Sequence, residues 1–423
     1  MPRLLGETAL NDEDEFSRIL KENIRPARPV DSPELLQGRA SVLKDIRRAL
    51  SSPGMHVFIH GERGVGKTSL AITAAKSHVG REAPYIGCDD RSTFLGIVRD
   101  ICDALLHTSL LRRDNQITGS AGFNVGVFKA EANIGGTGRL KLPEKIESIN
   151  QAANVIRECA VQRGADESLV IIDEIDRVQS PDLKSQFAEL IKRIHDTRVP
   201  IRFIMCGIGK TLDEIIGSHL SASRAISATE LAPISFDARW AIVNNAASKL
   251  GLVVDKEFNV RISQISDGFP YYVHLIAESL FWEMFDRKLE RASSESFHDA
   301  VRRSIERAEA PLRDAYNFAI QKTKNSVDYE ETLWSVAEST HLERQIKDIY
   351  GKSYRRIMEN RHGRTTLPTE KFRMRLYSLC DERHGRILVR KRNSWYAFKE
   401  NVERRYVRLV AQRNGVELGS DHF

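Results

Sequence analysis

The stretch HVFIHGERGVGKTSL, residues 56–70, constrains this chain more than any other. Val57, Phe58 and Ile59 read as a short buried strand, and the residues from Ser69 to Ser77 read as a helix. Between them, Gly61, Glu62, Arg63, Gly64, Val65, Gly66, Lys67 and Thr68 fit the pattern G-x-x-x-x-G-K-[ST]. A glycine-rich turn between a buried strand and a helix is suited to receive phosphate. The glycines let the backbone curl so that its N–H groups converge on phosphate oxygens. The helix N-terminus adds partial positive charge. Lys67 supplies the point charge for the β- and γ-phosphates, and the Thr68 hydroxyl suits a magnesium ion.

A second motif lies at 168–180, SLVIIDEIDRVQS. Leu169 to Ile172 read as a buried strand that ends in Asp173 and Glu174. Asp173 is suited to hold magnesium, and Glu174 to orient or deprotonate an attacking water. Further strands are expected in APYIGCDD and in PIRFIMC, residues 200–206, with helices over STFLGIVRDICDALL, 146–162 and 182–197. Alternating strands and helices of this kind build a parallel sheet sandwiched by helices. Residues 119–140 alternate apolar and polar residues around glycines, with Phe123, Val125 and Val127 on one face. They read as a β-hairpin inserted in the core, or as a surface loop.

At 423 residues the chain has length for about two to four domains. Its hydrophobic content of 41% and charged content of 29% are those of an ordinary globular protein. No run approaches roughly 18 apolar residues, so no membrane span is expected. The N-terminus is too acidic for a signal peptide. Five scattered cysteines with no CxxC pair read as reduced core thiols, and the expected location is cytoplasmic.

The expected organisation is an extension and proline-rich linker over 1–34, an α/β core over 35–235, a helical lid over 236–308 and a basic C-terminal domain over 309–423. Residues 1–24 read as a loosely packed lead-in or a short partner helix. Charge is uneven: residues 341–423 hold 20 Lys and Arg against 10 Asp and Glu, a net of +10, which leaves −4 on the rest of a chain of net +6. Within that tail, TEKFRMRLYSLC reads as a helix that buries Phe372, Leu376 and Leu379. Its other face carries Lys371 and Arg375, with Arg373 nearby. RILVRKR-NS-WYAF then reads as a two-residue hairpin with Arg390, Lys391 and Arg392 at its tip. Helices followed by a basic hairpin describe a winged helix, suited to double-stranded DNA or to a protein partner.

Gly38-Arg39 ahead of an amphipathic helix, GERGVGKT, LVIIDEID, HLSASR and DGFP together resemble the AAA+ ATPases of the origin-recognition and archaeal initiator type. They equally resemble the related bacterial transposition and STAND-like signalling ATPases. The resemblance covers roughly residues 35–300. It implies a P-loop NTPase fold, ATP and Mg2+ as cofactors, and an ATP-hydrolysing enzyme. Gly38 and Arg39 would lie on the adenine side, residues 61–69, Ser69 included, around the phosphates, and Pro270 near the nucleotide. Arg224, in HLSASR, would be a finger reaching the next subunit's γ-phosphate, which implies a homo-oligomer in the ATP state.

The chain departs from the initiator pattern in two places. Tyr271, Tyr272 and Val273 follow Pro270 where a sensor arginine is expected, and Cys206-Gly207, with Lys210 and Thr211 beyond, occupies the slot of a polar sensor. The first departure pulls toward the STAND-like group. The expected function is an ATP-driven switch that assembles in the ATP state and binds double-stranded DNA through its winged helix. The alternative is a STAND-like signalling or anti-phage defence ATPase whose winged helix serves a protein partner or autoinhibition.

Overall fold

In the computed structural model, residues 9–113, 146, 148–163, 167–178, 180–209, 212–214, 220–320 and 325–419 are described. The expected hairpin at 119–140, and Lys210 and Thr211, lie outside these residues. The chain forms two compact units: one of Val30–Gly61 and Lys67–Leu231, the other of Met1–Pro29, Glu62–Gly66 and Ala232–Phe423.

The first unit is an α/β sandwich. Its strands are β1 (His56–His60), β2 (Tyr85–Gly87), β3 (Ser168–Asp173), β4 (Ile201–Gly207) and β5 (Ile226–Glu230). They form a parallel sheet in the order β2-β3-β4-β1-β5. Every residue of β3 and β4 is buried. Helices on both faces demand this, because a covered parallel strand shows no polar side to water. The covering helices include α2 (Ala40–Ser51), α3 (Lys67–Val79), α4 (Phe94–Arg113), α5 (Ile149–Gln162) and α6 (Pro181–Asp196). Ser180 caps α6 by accepting from Leu183 N, with Pro181 in the first turn. Phe58, Ile172, Phe187, Ile191 and Phe203 fill the core between sheet and helices.

In the second unit, α1 (Glu13–Asn23) is no loose lead-in. Phe16 and Leu20 are buried, and the Phe16 ring lies 5.2 Å from Trp282 and 4.7 Å from Phe285. Those two aromatics sit on or beside a run of helices: α7 (Phe236–Leu250), α8 (Lys256–Ser266), α9 (Pro270–Asp286) and α10 (Ser294–Arg307). The α8–α9 turn is held by Asp267, at φ 50°, and Gly268, at φ 82°. A Cβ at Gly268 would meet Pro233 at 2.6 Å, so only glycine fits. Pro270 then opens α9 as its first residue.

The same unit continues with α11 (Ala310–Ile320), α12 (Ser326–Ala337), a helical segment over 346–359 with a π turn at Ile349–Tyr354, α13 (Thr369–Ser378) and α14 (Asn401–Arg413). A small antiparallel sheet joins β6 (Arg344–Gln345), β8 (Trp395–Phe398) and β7 (Leu388–Arg392). β7 and β8 meet at Asn393 and Ser394, and Ser394 takes φ 63°. Among the described residues no helix is long and apolar enough to cross a membrane. All five cysteines are free.

A candidate nucleotide site at the ends of three strands

β1, β4 and β3 are neighbours, so their C-terminal ends deliver the glycine-rich loop, Gly207 and Asp173 to one edge of the sheet. In open parallel sheets this edge is where ligands bind. Gly61 N donates to Gly207 O at 3.3 Å, which anchors the start of the loop. Lys67 Nζ donates to Gly61 O at 2.9 Å, so the ammonium curls back over the loop it follows. Burial lowers the Lys67 pKa, and Asp176, Cys206, Asp173 and Glu174 pull the other way.

Asp173 is the hub of the site. Its Oδ2 accepts from Thr68 Oγ1 at 2.5 Å and from Tyr85 OH at 3.0 Å, and its Oδ1 accepts from Glu174 N at 2.8 Å. Cys206 lies against it on β4, and burial first, then Asp173, pushes that thiol well above its ordinary range. The Tyr85 phenol is also raised, by burial and by Asp173. A hydroxyl beside a carboxylate, both oxygen donors, fits a hard divalent cation completed by phosphate oxygens and water. When bound, such an ion would neutralise phosphate charge; Thr68 and Asp173 are the residues that would hold it. Among the described residues no cluster of three or more His, Cys, Asp or Glu forms a separate metal site.

Glu174 takes a left-handed conformation, φ 57°. Its carboxylate pairs with Arg177 at 2.8 Å. Ser69 Oγ accepts from Val30 N at 3.2 Å, and Thr73 Oγ1 donates to Val30 O at 3.3 Å. Ser69 therefore ties the linker to α3. Gly38, at φ 72°, precedes the buried Arg39, whose pKa burial lowers to about 10. Arg224 is exposed in the turn Leu220–Ala225, just before β5.

The remaining loop residues, Glu62–Gly66, belong to the second unit. Val65 is buried, and Arg63 pairs with Glu309 at 3.6 Å on the surface. A Cβ at Gly66 would lie 3.8 Å from Pro270 Cγ, and one at Gly64 3.5 Å from Phe269. Both glycines have positive φ, 81° at Gly64 and 99° at Gly66. Glu62 accepts from Asn401 Nδ2 at 2.8 Å and pairs with Arg405 at 3.5 Å. Sequence reasoning missed this contribution of α14; no motif marks it.

The basic tail residues divide. Lys371, Arg390, Lys391 and Arg392 are exposed. Arg373 is half-buried and pairs with Glu370 at 3.4 Å. Arg390 donates to Asn393 Oδ1 at 2.5 Å, and Arg392 lies over the Trp395 ring at 4.1 Å. Arg375 turns inward instead, pairing with Asp328 at 3.4 Å and covering the Tyr329 ring at 5.0 Å. Arg344, Arg404, Arg405 and Arg408 are buried, and Arg361 and Arg364 pair with the buried Glu331. Part of the +10 charge is thus internal structure.

Comparison with known proteins agrees with this geometry. Residues 35–204 match the family described as AAA ATPase domain. The Walker-type ATPase paby2304 of Pyrococcus abyssi is similar in fold, with TM-score 0.53 and 16% identity over 90% of this chain and 99% of that one. The Aeropyrum pernix ORC1 protein in complex with DNA gives TM-score 0.44 and 14% identity over 90% of this chain and 94% of that one. Cdc6p from Pyrobaculum aerophilum gives 0.46 and 14% over 94% and 98%. No curated protein matches the sequence. Residues 35–204 match an AAA ATPase domain, and the chain is an ATPase with a P-loop α/β fold.

Proposed function

We propose that this ATPase is a nucleotide-driven switch that binds double-stranded DNA through its C-terminal helices and hairpin. In this reading ATP and Mg2+ occupy the loop 61–68, with Thr68 and Asp173 holding the ion. Glu174 orients the attacking water, and Arg224 completes the site of a neighbouring copy in a homo-oligomer. α11–α13 with β6–β8 act as a winged helix. The observation that carries the DNA reading is the exposed set on α13 and the hairpin tip. Lys371, Met374 and Tyr377 project from α13, and Arg390, Lys391 and Arg392 from the hairpin. The Tyr377 and Tyr396 rings lie 6.2 Å apart, which sets that helix beside the hairpin. A helix flanked by a basic hairpin suits a groove and its adjacent phosphates.

The test is a salt-titrated DNA-binding assay with and without ATP. If about four to six phosphates are neutralised, log affinity falls with log salt at a slope of about −4 to −5. Replacing Arg390, Lys391 and Arg392 with alanine flattens the slope by about two to three units. ATP strengthens binding if assembly sets several tails along one duplex. No binding by the ATP-bound full chain to any duplex at low salt removes the proposal.

A second reading has an observation of its own. Seven basic residues of the tail, Arg344, Arg361, Arg364, Arg375, Arg404, Arg405 and Arg408, serve internal contacts. A tail that spends so much charge inside suits a signalling ATPase whose C-terminal domain works through protein contacts. Absence of DNA binding in the assay above would put this reading first.

A further inference from the structure

In the parallel pairing of β2 with β3, Gly87 lies opposite Asp173 and Tyr85 opposite Ile171. Residues 85 and 87 share one face of β2. Gly87 brings no side chain to that face. A Cβ there would lie 3.7 Å from Tyr85 Cε1, so the ring runs over the glycine. At its far end Tyr85 OH donates to Asp173 Oδ2 at 3.0 Å. The strand that carries the ring is pinned on both sides of it. Ile171 N donates to Pro84 O at 2.8 Å, and Cys88 N to Asp173 O at 2.9 Å. All of these residues lie in the unit formed by Val30–Gly61 and Lys67–Leu231.

Little of the ring fills the core: Tyr85 is 49% exposed, on a strand at the edge of the sheet. What it delivers to the site is its hydroxyl. The Asp173 carboxylate is buried and offers about four lone-pair sites. Thr68 and Tyr85 donate to Oδ2, and Glu174 N to Oδ1. The Cys206 thiol hydrogen-bonds the same carboxylate. Donors that grip a ligating carboxylate set its orientation, and losing one costs roughly 10–100-fold in metal affinity. Thr68 is suited to meet the ion itself, and the Glu174 amide is the next unit of the chain. Tyr85 reaches in from another strand.

We infer that Tyr85 is a positioning residue for the divalent cation, its hydroxyl fixing the Asp173 carboxylate in the orientation that holds the ion. This rests on the reading that the loop 61–68 takes ATP with Mg2+. The phenol acts through Asp173, so it matters to the ion and not to the nucleotide by itself. Sequence reasoning placed Tyr85 in a strand and gave it no role.

The test uses the full chain loaded with ADP and follows Mn2+, in place of Mg2+, by the electron paramagnetic resonance of the free ion. Tyr85→Phe removes one oxygen from a half-exposed ring, where folding is not at risk. It is expected to weaken Mn2+ binding by about tenfold. ADP affinity in excess chelator, measured by calorimetry, is expected to stay at the wild-type value, a split that a general loss of structure would not give. Tyr85→Ala is expected to match Tyr85→Phe. Wild-type Mn2+ affinity in Tyr85→Phe overturns the inference, as does an equal loss of ADP affinity in chelator. Tighter Mn2+ binding overturns it too, since the phenol would then occupy the ion's position. A loss in Tyr85→Ala that Tyr85→Phe lacks would assign the ring to packing and also overturn it. If the ADP-loaded wild type binds no Mn2+, or Asp173→Asn binds it as well as wild type, the ion site itself falls and the inference with it.

Discussion

Asp173 accepts from Thr68, Tyr85 and the amide of Glu174. The next residue is held in a backbone conformation that costs about 1–3 kcal/mol outside glycine. That conformation persists because the Glu174 amide is bonded to Asp173 and its carboxylate to Arg177. Lys67→Ala should abolish ATP binding, since it deletes the ammonium that folds over the loop. Glu174→Gln should leave binding intact and slow hydrolysis by about 100-fold or more. Hydrolysis by Glu174→Gln at the wild-type rate would show that another group serves as base. That Lys67, Thr68, Asp173 and Glu174 meet at one edge of the sheet was legible in the sequence, because they keep a fixed spacing from glycine and from a buried strand. Arg404, Arg405 and Arg408 were not. In sequence they look like a solvated helix face; Asp267, far off in the chain, together with Glu62 and the carbonyls of Gln264, Ala337 and Ser339, makes their burial tolerable.

Among elements, those with apolar runs were readable and those without were not. β3 and β4 announce themselves by continuous aliphatics. β5, ISATE, alternates half-exposed polar residues at the edge of the sheet and read only as a connection. α14 went unread for a related reason, since its buried positions include three arginines. α1 carries Glu13, Asp14 and Glu15 in its first turn, and that acidity masks the apolar stripe of Phe16 and Leu20. Its packing makes a direct prediction. Phe16→Ala removes a ring packed at a tilt against Trp282 and Phe285, and should destabilise the unit that holds it by about 3–5 kcal/mol. Denaturant unfolding checks this; a loss under about 1 kcal/mol would mean that α1 packs far more loosely.

For the whole molecule, the family match establishes an AAA ATPase domain, and the exposed Arg224 frames the question of assembly. An arginine that acts on a neighbouring copy makes turnover per chain rise with protein concentration. Mixing Arg224→Ala with Lys67→Ala chains should then restore activity where an intact pocket meets an intact arginine. Turnover independent of concentration, and equal in Arg224→Ala and wild type, would assign the arginine to the surface alone. The division of the chain into its units has a further consequence, one of timing. Phe16 and Leu20 of α1 pack within the unit formed mostly by residues after 231, on aromatics at 282 and 285. A ribosome adding about 5–20 residues per second therefore releases α1 roughly 13–50 s before its partners exist. Before that interval ends every strand of the α/β sheet has been made, while α1 still waits with its apolar stripe uncovered. α1 is made long before the aromatics it docks on, and it is there that a nascent chain of this protein would most need shielding.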